Sequence, residues 1–272
     1  MNIKRANKAL RLLQITDSHL FKDPSAALLN LNTQESFEKV LELVQEKEAS
    51  FDLVLASGDI SQDASQESYL RFGQAMDELG APFVWIPGNH DRRHAMAEVP
   101  GYSEASTPLL RSGNWQIVML DSSVIGEVHG MLHDKDLQHL RASLEQAEQD
   151  PSIEHSLVCL HHNPVPGTAG WMDGIGLHNS DEFLSLIKGS STVKAVVYGH
   201  IHQELDFDYE GVRFFCTPST CIQFKPDVED FTLDTVNPAY RWFELDDDGS
   251  IRSAVERVQG FHFDVDHSST GY

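Results

Sequence analysis

Five apolar segments of this chain each end in aspartate, asparagine or histidine, and this repeated pattern restricts the fold more than any other feature. The five segments end at Asp17-Ser18-His19, Ser57-Gly58-Asp59, Gly88-Asn89-His90-Asp91, His161-His162 and Gly199-His200-Ile201-His202. Amphipathic, helix-like segments separate the first three of them, as the right-handed crossovers of a parallel sheet require. Ligands bind at the carboxyl ends of the strands in such a sheet, so the pattern predicts one functional rim.

Local sequence signals predict where helices begin and end. Asn32 is expected to cap a helix because Glu35 follows it by three residues. Gly80 is expected to end a second helix, and Ser180 to cap a short one. Residues 92–113, which contain Pro100, Gly101 and Pro108, are expected to be irregular.

The last third of the chain differs from the alternating strands and helices before it. Val212–Cys216, Arg241–Leu245 and Ile251–Val258 are strand-like and joined by turns, which indicates a mixed sheet or a second sheet packed on the first. We expect a single domain over residues 1–263 and a polar C-terminal tail over residues 264–272.

Composition excludes several classes of function. The formal net charge is -22 and no basic patch is visible, which argues against nucleic acid as a partner. No segment approaches the roughly 18 apolar residues of a membrane span, so no membrane partner is expected. The basic N-terminus runs into a strand without a signal-peptide cleavage site, and the three cysteines are an odd number. A cytoplasmic protein without disulfides is therefore expected.

The donors at the five segment ends indicate metal chemistry. Taken singly, each cluster is explained equally well as a turn, because Asp and Asn are common there; five together are not. Carboxylate, amide and imidazole ligands suit Fe, Mn, Zn or Ni better than Ca or Mg. Seven donors exceed the needs of one ion and suit two ions that share a carboxylate, an arrangement that clamps both oxygens of an in-line phosphoryl displacement.

These motifs, in this order, resemble those of the calcineurin-like metallophosphoesterases over the span from Asp17 to His202. The segments Leu12–Asp17, Gly199–Leu205 and Thr217–Pro226 are similar, more specifically, to the class III cyclic-nucleotide phosphodiesterases. The resemblance implies an α/β fold with four layers, α/β/β/α, in which two mixed sheets are flanked by helices. It also implies hydrolysis of 3′,5′-cyclic AMP to 5′-AMP, which would lower intracellular cyclic AMP.

The resemblance further implies roles for individual residues. One metal ion would be held by Asp17, His19, Asp59 and His202, and the other by Asp59, Asn89, His161 and His200, with Asp59 bridging. Two divalent ions per chain are implied, with Fe²⁺ or Mn²⁺ expected and Zn²⁺ as the alternative. The catalytic residues would be His90, facing the substrate, and Asp91, orienting the His90 ring. The substrate would contact His19, Asp59, Asn89, His90 and His202.

Two interpretations remain open for each of three features of the sequence. His162 is either a further ligand or, as we favour, a residue that packs behind the ligands. Trp171 either stacks on the adenine base or packs within its glycine-rich loop. The segment Thr217–Pro226 either borders the nucleotide pocket or packs the C-terminal strands. Asn163 stands where many members of the family carry proline, which affects a loop and not the ligands.

Two other functions remain open at the level of sequence. One is hydrolysis of another phosphodiester or of a nucleotide pyrophosphate by the same kind of site. The other is a binding module on a scaffold that has lost catalysis, although such loss should erase ligands and all seven are present. The sequence does not indicate an oligomeric state.

Overall fold

The chain alternates helices and strands over most of its length. The structure, a computed structural model, describes residues 1–271, so Tyr272 of the predicted tail lies outside the described residues. The described helices are α1 (Thr33–Lys47), α2 (Gln66–Leu79), α3 (Arg93–Ala97), α4 (Asp134–Gln149) and α5 (Ser180–Gly189). The described strands are β1 (Leu10–Ile15), β2 (Ala27–Leu28), β3 (Leu31–Asn32), β4 (Leu53–Ala56), β5 (Phe83–Trp85), β6 (Leu109–Ser112), β7 (Trp115–Met119), β8 (His155–Cys159), β9 (Val193–Tyr198), β10 (Leu205–Tyr209), β11 (Val212–Cys216), β12 (Ala239–Leu245) and β13 (Ile251–Arg257).

Most strands belong to two mixed sheets. The first has the order β13-β12-β1-β4-β5, with β1, β4 and β5 parallel and the C-terminal strands β12 and β13 added antiparallel. The second has the order β10-β11-β9-β8-β7-β6, in which the four central strands are parallel and both edge strands antiparallel. Both predicted arrangements are therefore present: the C-terminal strands β12 and β13 make the first sheet mixed, and β11 belongs to a second sheet packed on it.

Two apolar clusters show how the layers stack. Leu12 of the first sheet lies in one buried cluster with Ile117 and Val197 of the second sheet, so this cluster fills the space between the sheets. Leu13, the next residue along β1, belongs to the other cluster together with Phe37 of α1. Alternate residues of a strand point to opposite faces, so helices cover the outer faces. The predicted α/β/β/α arrangement is confirmed.

The helix ends confirm two predictions and correct a third. The Asn32 side chain accepts a hydrogen bond from the backbone N–H of Glu35, and Gly80 ends α2 with a left-handed φ of 76°. The prediction that Ser180 caps α5 is wrong: Ser180 is its first residue and Asn179 occupies the cap position. The Asn179 side chain instead bonds both backbone groups of Leu132, which leaves it no part in capping.

The region 92–113 is more regular than the sequence suggested. It contains α3, a short 3₁₀ helix (Ser103–Ser106) and β6. A helix of five residues is too short to show a 3.6-residue period, which is why pattern analysis missed it. No helix in the described part of the chain combines the length and the apolar character that crossing a membrane requires.

Candidate metal centre

The predicted ligands come from the ends of five parallel strands in two different sheets. Asp17 and His19 follow β1, Asp59 follows β4, and Asn89 and His90 follow β5, all in the first sheet. His161 follows β8, and His200 and His202 follow β9, in the second sheet. The sequence predicted one shared rim, and the structure brings all seven side chains to it, but from two sheets.

A left-handed backbone turns most of these side chains toward one another. Non-glycine residues with positive φ include Asp17 (55°), His19 (46°), Asp59 (48°), His200 (68°) and His202 (47°). This conformation is rare for residues with a Cβ and costs about 1–2 kcal/mol per residue. Strain of this kind persists only where surrounding structure enforces it, and it concentrates at functional sites.

Four side chains form the group that we name subsite A: Asp17, His19, Asp59 and His202. The Nε2 atoms of His19 and His202 lie 3.2 Å apart. His202 Nε2 lies 3.3 Å from Asp17 Oδ1, and His19 Nε2 lies 3.9 Å from Asp59 Oδ2. All four residues are almost completely buried.

In subsite A, the hydrogen bonds of the Nδ1 atoms of His19 and His202 determine which ring nitrogen carries the proton. His202 Nδ1 lies 2.8 Å from the Ile222 carbonyl oxygen, which can only accept, so Nδ1 carries the proton. His19 Nδ1 lies 2.6 Å from Gln62 Oε1, also an acceptor. When both rings are neutral, the two Nε2 atoms direct lone pairs toward each other, an arrangement that suits a cation between or beside them. Subsite A therefore fits a metal ion.

Four side chains form the group that we name subsite B: Asp59, Asn89, His161 and His200. His161 Nε2 lies 3.3 Å from Asp59 Oδ2 and 3.3 Å from Asn89 Oδ1. The His161 and His200 rings lie with their centroids 5.1 Å apart. Asp59 Oδ2 lies near an imidazole of each group, His19 and His161, which is the position that a bridging carboxylate would take. Asp17 Oδ1 also lies 3.9 Å from His161 Nε2.

Backbone carbonyls orient both imidazoles of subsite B. The Ser57 oxygen lies 2.8 Å from His161 Nδ1, and the Ile175 oxygen lies 3.0 Å from His200 Nε2. His161 thus offers Nε2 and His200 offers Nδ1 as ligand atoms. Subsite B has carboxylate, amide and imidazole donors, whereas subsite A has carboxylate and imidazole donors, and both sets suit a divalent transition metal.

His162 lies beside His161 and His200 but has no free nitrogen. The His162 Nδ1 atom lies 2.8 Å from Ser122 Oγ, and its Nε2 atom lies 3.1 Å from the Val128 carbonyl oxygen. These three histidines are close enough to hold an ion together, but both His162 nitrogens already have partners. This contact pattern favours the packing interpretation of His162.

The protonation of the centre suits metal binding. Burial opposes the ionisation of Asp17 and Asp59, yet the imidazoles of His202 and His161 outweigh it and lower the pKa of both carboxyls. Burial lowers the pKa of His19 and of His200 to about 3. Burial would also lower the pKa of His161, but the Asp59 and Asp17 carboxylates raise it to about 9. Ionised carboxylates and neutral imidazoles are the forms that bind metals, so His161 must lose a proton before it can act as a ligand.

The loop after β5 contacts the shared carboxylate directly. The backbone N–H of His90 donates to Asp59 Oδ1 at 2.8 Å, and the His90 ring lies 5.0 Å from the His19 ring. A Cβ at Gly88 would overlap the Asp59 carboxylate, so only glycine allows this approach. His90 is partly exposed, beside the centre and open to solvent.

Asp91 is buried behind the same loop. The Asp91 carboxylate accepts hydrogen bonds from the backbone N–H groups of Gly88, Ile60 and Ser61. Burial, and then the charge of Asp59, raise the pKa of Asp91 to about 6. These contacts tie the loops after β4 and β5 together. Orientation of the His90 ring by Asp91 stays a prediction.

The segment Thr217–Pro226 packs against the end of β1 and against subsite A. Ser219 Oγ donates to the Asp17 carbonyl oxygen at 2.7 Å, and the Thr220 N–H donates to the Thr16 carbonyl. The Ile222 carbonyl accepts from His202, and the Phe224 ring stacks on the His202 ring with centroids 4.4 Å apart. The segment thus positions a predicted ligand, a role that neither interpretation of the sequence included.

Trp171 lies within an aromatic group. The Trp171 ring lies 5.0 Å from the Phe224 ring and 5.0 Å from the Phe231 ring. It belongs to the partly buried side chains packed on the outer apolar cluster. These contacts favour the packing interpretation of Trp171.

Sequence analysis did not identify the four groups that orient the imidazoles. Three of them are backbone carbonyls, those of Ser57, Ile175 and Ile222. Gln62, the fourth, follows the Gly58-Asp59 motif by three residues. Its proximity to that motif was the one signal that could have identified it.

Comparisons with known proteins agree with this geometry. The sequence profile of the calcineurin-like phosphoesterases matches residues 10–204. A relative from Haemophilus influenzae, described as 3′,5′-cyclic adenosine monophosphate phosphodiesterase CpdA, is 44% identical over 97% of this chain and 95% of its own. A protein of the same description from Pseudomonas aeruginosa is 41% identical over 100% of this chain and 98% of its own.

A solved structure shares the fold at low sequence identity. A dimetal phosphatase from Danio rerio superposes with a TM-score of 0.65 at 16% identity, covering 93% of this chain and 100% of its own. The resemblance noted in the sequence is confirmed, and the chain belongs to the calcineurin-like phosphoesterase family.

Proposed function

We propose that this protein hydrolyses 3′,5′-cyclic AMP to 5′-AMP at a dinuclear metal centre formed by subsites A and B. The observation that carries the proposal is the convergence of seven donor side chains at one rim, with Asp59 beside imidazoles of both subsites. The relatives described as cyclic AMP phosphodiesterases, which align over nearly the full chain, support the choice of substrate.

Each subsite would hold one divalent ion. Subsite A would supply Asp17, His19, Asp59 and His202, and subsite B would supply Asp59, Asn89, His161 and His200. Fe²⁺ or Mn²⁺ suits these donors, and Zn²⁺ is the alternative. When bound, the two ions neutralise the phosphate and lower the pKa of a water toward about 7, which provides a nucleophile at neutral pH.

The neutral amide of Asn89 keeps the centre cationic. Asp17 and Asp59 are the two carboxylates of the ligand set, so two divalent ions retain a surplus of positive charge. A carboxylate at position 89 would reduce that surplus. An anionic phosphodiester is therefore attracted to the centre although the protein has a net charge of -22.

His90 would act on the substrate and not on the metals. The Asp59 carboxylate holds its backbone N–H, and its ring lies at the partly exposed side of the centre. From there a ring nitrogen can donate a hydrogen bond to a phosphoryl oxygen and a proton to the leaving 3′ oxygen. His19, Asp59, Asn89 and His202 would line the same space, and Asp91 would keep the loop in place.

The setting we propose is the cytoplasm, where hydrolysis would lower the concentration of cyclic AMP. The partners would be the small molecules cyclic AMP and 5′-AMP. The acidic balance of the chain argues against a nucleic-acid substrate.

A substrate panel tests the proposal. Protein reconstituted with Mn²⁺ or Fe²⁺ is assayed with 3′,5′-cyclic AMP, 3′,5′-cyclic GMP, 2′,3′-cyclic AMP and an aryl phosphodiester. We expect release of 5′-AMP from 3′,5′-cyclic AMP that depends on the metal. If the protein cleaved the aryl diester but not cyclic AMP, it would still be a phosphodiesterase. The proposal that cyclic AMP is its substrate would then be refuted.

A further inference from the structure

The outer nitrogens of the four ligand imidazoles have different kinds of partner. Backbone carbonyls accept from His161, His200 and His202. The corresponding nitrogen of His19, Nδ1, lies 2.6 Å from a side-chain oxygen, Gln62 Oε1. Subsite A thus contains an imidazole whose orientation depends on a side chain that can be replaced without altering the main chain.

The main chain holds Gln62 beside His19. The segments that follow β1 and β4 run side by side, with the N–H of His19 donating to the Asp59 carbonyl at 2.9 Å and the N–H of Gln62 donating to the Leu20 carbonyl at 2.9 Å. On the far side, the N–H of Lys22 donates to Asp63 Oδ2 at 2.8 Å. Backbone hydrogen bonds on both sides of Gln62 therefore fix its position. This pairing of the two segments brings the Gln62 amide to the His19 ring.

The amide oxygen has a defined chemical effect on the ring. Because it accepts a hydrogen bond and is neutral, it keeps the proton on Nδ1 and leaves the Nε2 lone pair directed at Asp17, Asp59 and His202. An apolar side chain at position 62 would allow the proton to move to Nε2 and the ring to rotate. Either change removes His19 as a ligand.

We propose that Gln62 is a positioning residue that determines the affinity of subsite A for its metal ion and leaves subsite B unaffected. This inference rests on the ligand sets of the proposed function. Partners of this kind typically change metal affinity by about 10- to 100-fold when removed. The contact between Gln62 and His19 has this effect on metal binding whichever phosphodiester is cleaved.

The test measures metal binding directly. Gln62→Leu removes the acceptor, Gln62→Glu keeps an acceptor in the same place, and Gln74→Leu changes an exposed glutamine of α2 as a matched control. Each protein is equilibrated with buffered Mn²⁺, and bound metal is counted by elemental analysis. The electron paramagnetic resonance spectrum separately reports whether two Mn²⁺ ions are coupled.

We expect Gln62→Leu to bind one Mn²⁺ with the affinity of the parent protein and the other about 10- to 100-fold more weakly. Its coupled Mn²⁺ signal should disappear at metal concentrations that saturate the parent. Gln62→Glu and Gln74→Leu should both retain two coupled ions. If Gln62→Leu does not fold, Gln62→Ala gives the same comparison with a smaller side chain.

Two results would overturn the inference. In the first, Gln62→Leu or Gln62→Ala binds two ions as tightly as the parent. In the second, both ions are weakened equally, which would indicate a general structural effect. Failure of the proposed substrate would appear in the activity panel and would leave these metal counts unchanged, so the two proposals fail separately.

Discussion

Subsites A and B use similar donors but are built on different backbones. In subsite A the three unshared residues, Asp17, His19 and His202, all have left-handed φ values between 46° and 55°. Of the three unshared residues of subsite B, His200 has a left-handed φ, whereas Asn89 and His161 do not. Subsite A therefore depends on tertiary contacts that enforce strained turns, and subsite B depends more on the ordinary ends of strands.

Different parts of the chain support the two subsites. Ile222, Phe224 and Ser219, in the segment after β11, contact His202 and Asp17 of subsite A. The carbonyls of Ser57 and Ile175 orient the imidazoles of subsite B. Two subsites with similar donors can therefore differ in their tolerance to mutation. We expect mutations to disrupt subsite A more readily than subsite B.

Replacing the shared carboxylate should have the largest effect. In Asp59→Asn both subsites lose their bridging charge, so we expect loss of both metal ions and a fall in turnover of at least ~10⁴-fold. Elemental analysis and a cyclic AMP assay measure the two quantities. Retention of one tightly bound ion would show that Asp59 belongs to a single subsite.

Replacing one imidazole in each subsite should separate them. His202→Ala and His161→Ala are each expected to lose one ion and to lower turnover by about 10³-fold, since both ions share the stabilisation of the reacting phosphate. The ion that remains should differ between the two variants, which Mn²⁺ titration can reveal. If both variants lost both ions, the division into subsites would be incorrect.

His90→Ala should lower turnover without changing either subsite. Loss of a proton donor should lower turnover by about 10²-fold, which is the lower end of the usual range. Because His90 belongs to neither ligand set, two ions per chain should remain bound. A parallel loss of metal would make His90 a ligand and contradict its assignment.

The difference in φ between His202 and His161 predicts that glycine and alanine substitutions have opposite orders of stability at these two positions. At His202, whose φ is 47°, glycine should give a metal-free protein about 1 kcal/mol more stable than alanine does. At His161, which has no left-handed φ, glycine should be the less stable by roughly 0.5–1 kcal/mol. Urea denaturation of the four variants measures both differences, and the same order at both positions would refute the comparison.

The cysteines offer the smallest expected effect. Burial raises the pKa of Cys221, in the segment that supports subsite A, to about 12, and burial likewise raises the pKa of Cys159 and Cys216. All three should therefore remain protonated and react negligibly with iodoacetamide at pH 8 until the protein is unfolded. Selective alkylation of Cys221 in the folded protein, detected by mass spectrometry, would show that this segment opens more readily than its contacts suggest.

Residue patterns predicted the positions of these strands and of the donor residues at their ends well, because both are local features. The apolar runs of β1, β4, β5, β8 and β9, and the polar residue at the end of each, can be recognised without knowing the fold. The distribution of those strands between two sheets could not be predicted, since pairing such as Leu12 with Phe243 of β12 depends on contacts distant in sequence.

The left-handed turns and the orienting carbonyls were also beyond prediction. Asp and His are enriched among non-glycine residues with positive φ, but residue type does not single out Asp17, His19 or His202 from the other Asp and His residues of the chain. Packing and hydrogen bonds from the rest of the molecule impose the conformation at these positions. A carbonyl such as that of Ile222 is present at every residue, so its role depends only on where the folded chain places it.

Because β1 pairs with β12, near the C-terminus, most of the chain must leave the ribosome before the metal centre can form. Residues 10–204, the span of the family match, already contain all seven predicted ligands. A nascent chain ending there would lack β12, which borders β1, and the segment whose Ile222 carbonyl holds the His202 ring. We expect such a chain to capture metal poorly, so that metal uptake comes late in biosynthesis and occurs only in molecules whose translation is nearly complete.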